Sequence, residues 1–310
     1  MIDKSLQILC NYYIIMNNPL DKIKKYTKDI AYNVKNVFSL NLDKIIEDEY
    51  EKAFESLRKF GIIKYIKSKY KINYKKPKLE ILEDVTSFVG SYSEFENKIT
   101  FSKKSIESEI NWQLKSLGYK EIKKSYDLID LIFLSPLYII DINIKKAIAK
   151  FTIRSRMFHE IWHSIDFSIL HKLEEDSTIK DIDSFTILDN LELRASAFEV
   201  IMYYLVNGLY KHKKGYMTAY RNIPICRKFI DKLEKMNIYE KMNTYIDVHY
   251  HYHLGYCYGY VVVAAYKSSL KDNIYKIIDD IVHLNEERAI DVIKRYVYNP
   301  DKLLNDNQVL

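Results

Sequence analysis

The sequence predicts a mainly α-helical chain with one small β-sheet, an α+β protein, on three observations. Apolar residues recur at three- and four-residue intervals before residue 75 and again after residue 103, the pattern of helices with one buried face. Between these stretches, from about 78 to 101, short β-prone runs alternate with turn residues. Only seven glycines and five prolines occur in 310 residues, too few for a turn-dense all-β architecture.

Each element has its own justification. Leu6, Leu9, Tyr13 and Met16 keep helical spacing, as do Ile46, Tyr50, Phe54 and Leu57; together they define an N-terminal helical region over 1–75. Pro77 marks a change of period. Leu79 and Ile81, then Phe88, Val89 and Tyr92, then Ile99 and Phe101 form the runs of the sheet, with Phe95-Glu96-Asn97-Lys98 as a hairpin turn. The second region, 76–310, holds this sheet and a long series of helices. Its breaks are expected at Gly118, Gly208, Gly215 and Pro300, because Gly and Pro are poor in helix interiors.

Composition excludes several classes. Lys and Arg number 48 against 42 Asp and Glu, giving a net charge of +6, spread along the chain rather than gathered into a nucleic-acid-binding stripe. The basic run from Lys64 to Lys78, interleaved with Tyr65, Tyr70 and Tyr74, reads as a solvated helix end and linker, and no nucleic-acid partner is expected. Cys10, Cys226 and Cys257 form no CxxC pair and no disulfide framework, which fits a reducing compartment. The longest apolar stretches, Leu131–Ile140 and Tyr260–Tyr266, fall short of the roughly 18 to 20 residues of a membrane helix. Asp3 and an Asn-broken apolar segment make a poor signal peptide. The expectation is a cytoplasmic protein without a membrane partner. With 28 tyrosines in the chain, tyrosine alone is no signal.

Chemistry concentrates in Arg156-Met157-Phe158-His159-Glu160-Ile161-Trp162-His163-Ser164, which contains His-Glu-x-x-His. Histidines at i and i+4 stand one above the other on a helical face, so both imidazoles can reach a single metal ion. Glu160, beside His159, can take a proton from a water on that metal. Ile153, Met157, Ile161 and Ile165 make the apolar stripe that anchors such a helix to a core. Asp166, near one turn after His163, could orient a ligand histidine; Trp162 reads as core packing.

A zinc site of this kind needs a third protein ligand, the fourth position being left to water. Ser164-Ile165-Asp166-Phe167-Ser168 offers no third histidine of the metzincin type. A glutamate on a later helix is the other solution. Leu188, Leu191, Ala195 and Phe198 make the apolar face of such a helix, and Glu192 lies on that face, where an unpaired carboxylate is costly without a cation opposite. Glu199, two turns on, is its rival.

At this point the chain resembles a family. His-Glu-x-x-His followed about 25 to 30 residues later by Asp-x-x-Glu-x-x-Ser is similar to the thimet oligopeptidase and oligopeptidase F peptidases, zinc enzymes of the gluzincin type. Here the second patch is Asp189-Asn190-Leu191-Glu192-Leu193-Arg194-Ala195, with Ser196 one position late, no Pro, and a longer spacing from His163. Gly90-Ser91-Tyr92 looks like the Gly-x-Tyr edge strand that these peptidases lay beside the substrate, and a free strand edge does accept an extended peptide. His251, Gly255, Tyr256 and Tyr260 match the family's His, Gly-Tyr and further Tyr on the far wall of the cleft; Val263 stands where it has another Tyr.

The resemblance implies a zincin-like core with the pentad on a central helix, built at about half the family's length and without much of its substrate-enclosing channel. It also implies Zn²⁺ on His159, His163 and Glu192, Glu160 as general base, and Tyr256, Tyr260 and His251 as donors to the developing oxyanion. The expected activity is hydrolysis of peptide bonds in a peptide or protein held along Gly90–Tyr92. Two alternatives stand beside it. One is a zincin-like regulatory or binding protein of weak or no activity. The other is a protease of the short repressor-cleaving type, whose Glu-x-x-Ala helix Glu192 to Ala195 also satisfies.

Overall fold

A computed structural model of the chain describes residues 40–116, 128–175, 184–237 and 248–299 (side chains of 128–142, 174, 184–189 and 248 excepted). The expected helix at Leu6–Met16, Cys10, and the breaks at Gly118 and Pro300 lie outside these residues, as do the side chains of Leu131–Ile140. Two compact units form. One comprises Leu42–Glu109 and Ala149–Leu310; the other comprises Met1–Asn41 and Ile110–Ile148. Every side-chain contact discussed below is within the first.

Helices α1 (Leu42–Lys59) and α2 (Ile62–Lys69) precede strands β1 (Lys78–Leu82), β2 (Gly90–Ser93) and β3 (Lys98–Ser102). Helices follow almost without interruption: α3 (Lys103–Ser116), α4 (Leu128–Glu175), α5 (Ser184–Val206), α6 (Lys213–Tyr220), α7 (Ile223–Lys235), α8 (Val248–Tyr266), α9 (Ile274–Val282) and α10 (Glu286–Val297). The mainly helical class with one small sheet is therefore what the chain adopts. None of the described helices is long and apolar enough to cross a membrane.

The sheet has the order β1-β3-β2, with β1 parallel and β2 antiparallel to β3. Gly90 faces Phe101 and Tyr92 faces Ile99 across the hairpin. Asn97 takes the left-handed backbone, φ 45°, that the tight turn needs, a conformation Asn tolerates better than most residues. β2 is an edge strand: it pairs with β3 on one side and with no strand among the described residues on the other. It follows α4 in register. Gly90 lies against Arg156 and Glu160, the Tyr92 ring is 6.0 Å from Phe167, and Glu94 pairs with His171.

α4 is fixed from several sides. Ile153, Met157, Ile161 and Ile165, the predicted stripe, are each at most 1% exposed. The fully buried Glu49 of α1 takes Arg154 at 2.5 Å. The Tyr74 hydroxyl bonds Ser164, next to His163, at 2.9 Å. Asp166 accepts from Arg194 of α5 at 2.6 Å, with both side chains buried. Removing one partner of such a pair typically costs about 3–5 kcal/mol, so this clamp sets the register of α5 on α4. Tyr65 and Tyr70 both donate to Asp279 of α9, at 2.6 and 2.8 Å.

α5 and α8 make the most intimate helix pair of the unit, and glycine is the reason. A methyl group on Gly255 would come within 2.4 Å of the Leu193 carbonyl oxygen and 2.6 Å of Ser196 Cβ; on Gly259 it would meet Val200 Cβ at 2.7 Å. One turn apart on α8, the two glycines bring its backbone directly onto α5. Gly255→Ala is expected to cost about 1–3 kcal/mol or more, since overpacking against backbone cannot relax by side-chain rotation. Chemical denaturation of wild type and variant measures it.

Two local expectations are corrected. Gly208 does break the chain, at φ 65° between α5 and the turn that follows. Gly215 instead lies inside α6, where its bare Cα packs on the backbone of Leu209. His251, expected among the donors on the far wall of the cleft, lies in the stretch 249–253, which is helical from Val248 onward. Alternate positions on a helix point about 200° apart, so its three histidines diverge: His249 and His253 are exposed and His251 is buried.

Candidate metal centre

The pentad lies in the middle of the buried part of α4, where His159 is 0% and His163 8% exposed. Their rings meet edge to face, centroids 4.8 Å apart. α5 crosses here and delivers Glu192, whose Oε2 is 2.9 Å from His159 Nε2 and 3.5 Å from His163 Nε2. The three donor atoms lie within 4.8 Å of one another. Donors around a four-coordinate ion with bonds near 2.1 Å are about 3.4 Å apart, so this triad could hold a metal ion.

The charge pattern agrees. Burial alone would push the His159 imidazole down, but Glu192, Glu199 and Glu160 carry it up to about 9. Burial opposes the ionised form of Glu192 as well, yet the two histidines hold its carboxyl far below the usual range. A field that draws a proton onto His159 draws a divalent cation to the same donors, and metal binding then releases that proton.

Glu199, the rival third ligand, has a different place. Its Oε2 is 3.2 Å from His159 Nδ1, the nitrogen facing away from Glu192, and it accepts from Ser155 and from the Tyr256 hydroxyl. A carboxylate behind a ligand imidazole fixes the ring's tautomer and orientation. Asp166, the residue expected in that role, is instead committed to Arg194. Trp162 is fully buried against Phe198, ring centroids 4.5 Å apart.

Glu160 is only 4% exposed. Burial pushes its carboxyl above the usual range, against the pull of His159, His163 and Arg156. Among the described residues it makes no hydrogen bond and no ion pair. Nothing structural is asked of this carboxylate, although leaving it bare in the interior is costly.

The far wall is α8, shifted by one turn from expectation. Tyr252 stacks on the His159 ring, centroids 5.2 Å apart and planes 23° off parallel. Burial first, then the negative charge of Glu192, keep its phenol protonated well beyond neutral pH. Tyr256, one turn on, bonds Glu199 at 3.2 Å. Tyr260, a further turn away, is half-buried, with Tyr204 and Cys226 ahead of Glu199 as its electrostatic neighbours. His251 turns to α10, with Nε2 4.0 Å from Glu286, and lines a surface cleft with Asn190 and Asp291. The structure thus brings together His159, Glu160, His163, Glu192 and Tyr256, while the ion pair of His251 is with Glu286 and Tyr260 lies nearer Tyr204 and Cys226.

Tyr252 and Arg156 are the residues that sequence reasoning passed over. Tyr252 is four residues before Tyr256, a spacing visible once the helix is extended back to 248. Arg156 stands four before Glu160, its Cγ against Gly90 and its guanidinium 5.6 Å from the centre of the Tyr252 ring.

Compared with protein-family models, curated proteins and solved structures, the chain matches none.

Proposed function

We propose that the chain is a zinc metallopeptidase. The observation that carries this reading is a buried, unpartnered Glu160 beside a three-donor cluster of two histidines and a glutamate. An ion serving only as a cross-link requires the cluster and has no use for the bare carboxylate. The donor set suits zinc, which takes imidazole nitrogen and carboxylate oxygen in four-coordinate sites. Bound there, zinc would polarise a carbonyl and make water a stronger acid.

The protein's own groups supply the rest. Glu160 takes a proton from the attacking water as its oxygen bonds to the peptide carbonyl carbon. It then returns that proton to the amide nitrogen, and the C–N bond breaks to leave a carboxylate and an amine. Glu199 holds His159 with Nε2 turned toward Glu192. Tyr252, protonated and stacked on His159, is the nearest phenol to the donors and is suited to stabilise negative charge on the carbonyl oxygen. The free edge of β2 offers main-chain groups to an extended peptide.

Purified protein is expected to contain stoichiometric zinc and to cleave peptides from a quenched fluorescent library. A chelator should abolish cleavage, and added zinc should restore it. Protein that carries zinc and cleaves nothing in the library, nor any protein substrate, would remove the peptidase reading and leave a metal-binding module.

A further inference from the structure

The Arg156 guanidinium is held in the site with no hydrogen-bonded partner among the described residues, although Glu199 and Glu160 favour its charge through space. Its two neighbouring arginines in this unit's core are paired, Arg154 with Glu49 at 2.5 Å and Arg194 with Asp166 at 2.6 Å. Among the described residues the Arg156 guanidinium has no hydrogen bond and no ion pair within 4.0 Å; it lies over the Tyr252 ring face, with Glu199 and Glu160 acting on it only at longer range. The adjacent carboxylates are occupied or assigned: Glu199 serves Ser155, His159 and Tyr256, and Glu160 handles protons. A guanidinium stays charged at any physiological pH and presents five donors in a planar fork matched to a carboxylate. Holding it partly buried with that fork unfilled is unfavourable. The arrangement makes sense if an acceptor arrives from solution.

Its position says what that acceptor belongs to. Arg156 is one helical turn from Glu160, on the same face of α4, and touches the first residue of the edge strand. A peptide lying along β2 with its scissile bond at Glu160 passes the guanidinium close to that bond. We propose that Arg156 is the substrate-recognition residue of this site and selects peptides carrying a carboxylate beside the bond to be cut. This rests on the peptidase reading. Two sources supply the same chemistry, an Asp or Glu side chain and the free C-terminus of a short peptide.

The test uses four labelled peptides of one sequence, with Glu or Gln at the position in question and a free or amidated C-terminus. Binding is measured by fluorescence anisotropy on the zinc-loaded full chain, with hydrolysis followed in parallel, for wild type, Arg156→Gln and Arg156→Lys. In wild type, loss of the recognised carboxylate should weaken binding about 10- to 100-fold, the range of a charge-assisted hydrogen bond. Whether the Glu or the terminal arm responds names the source. Arg156→Gln should bind all four peptides alike with its zinc content unchanged, and Arg156→Lys should keep part of the preference. Equal binding of all four by wild type, or an undiminished preference in Arg156→Gln, overturns the proposal. A carboxylate preference without cleavage would sustain Arg156 and defeat the peptidase reading; cleavage without preference would do the reverse.

Discussion

Glu160→Gln is expected to keep its metal and lose peptide hydrolysis by about 10²- to 10⁴-fold, the usual contribution of a positioned general base. The substitution is nearly isosteric and removes the negative charge together with the ability to accept a proton. Because the carboxylate has no bonded partner among the described residues, folding has little reason to suffer; replacing a buried charge by an amide relieves a desolvation penalty. The variant should therefore melt at or above the wild-type temperature. Zinc analysis, a thermal melt and single-turnover hydrolysis on one preparation decide it. Loss of metal together with activity would show that Glu160 maintains the donor cluster and is not its base.

Glu192→Ala and Glu199→Ala should separate into two kinds of loss. Glu192 is the one carboxylate that reaches both Nε2 atoms, at 2.9 and 3.5 Å, so its removal leaves two ligands and abolishes stoichiometric metal binding. Glu199 reaches only the far nitrogen of His159. Its removal should leave metal bound but weaken affinity or activity about 10- to 100-fold, the range for groups that orient a ligand. Competition with a chelator of known affinity reads both. Equal retention by the two variants would unseat Glu192 as third ligand.

What the sequence made legible follows from how local each feature is. His159 and His163 are separated by just over one helical turn, so their common face, with Glu160 at its edge, follows from helix geometry alone. Glu192 could be read because a glutamate among Leu188, Leu191 and Ala195 asks for a cation wherever its helix packs. The hairpin and edge strand at 90–102 were visible in the change of period after Pro77. Glu199 behind His159 depends on the angle at which α5 crosses α4, which no periodicity encodes. The Asp166–Arg194 clamp is equally non-local. Tyr252 was missed for a narrower reason: five aromatic or imidazole residues in a row from His249 look like a polar loop. Tyr256 and Tyr260 follow from the family spacing after His251 and Gly255, and that spacing is silent on Tyr252, whose ring stacks on His159.

The glycine seam between α5 and α8 has a dynamic consequence. With no side chain on α8 at Gly255 and Gly259 to hold the helices apart, α5 and α8 should open to solvent together. Their amide protons are expected to exchange as one cooperative block, separately from those of α4. The site is then divided between two moving parts. The histidines, Glu160 and Arg156 should travel with one and Glu192, Tyr252 and Tyr256 with the other, with the Asp166–Arg194 bond as the pivot between them. An ion gripped from both sides would act as a latch on that joint, so metal occupancy and breathing of the cleft should be two readings of a single equilibrium.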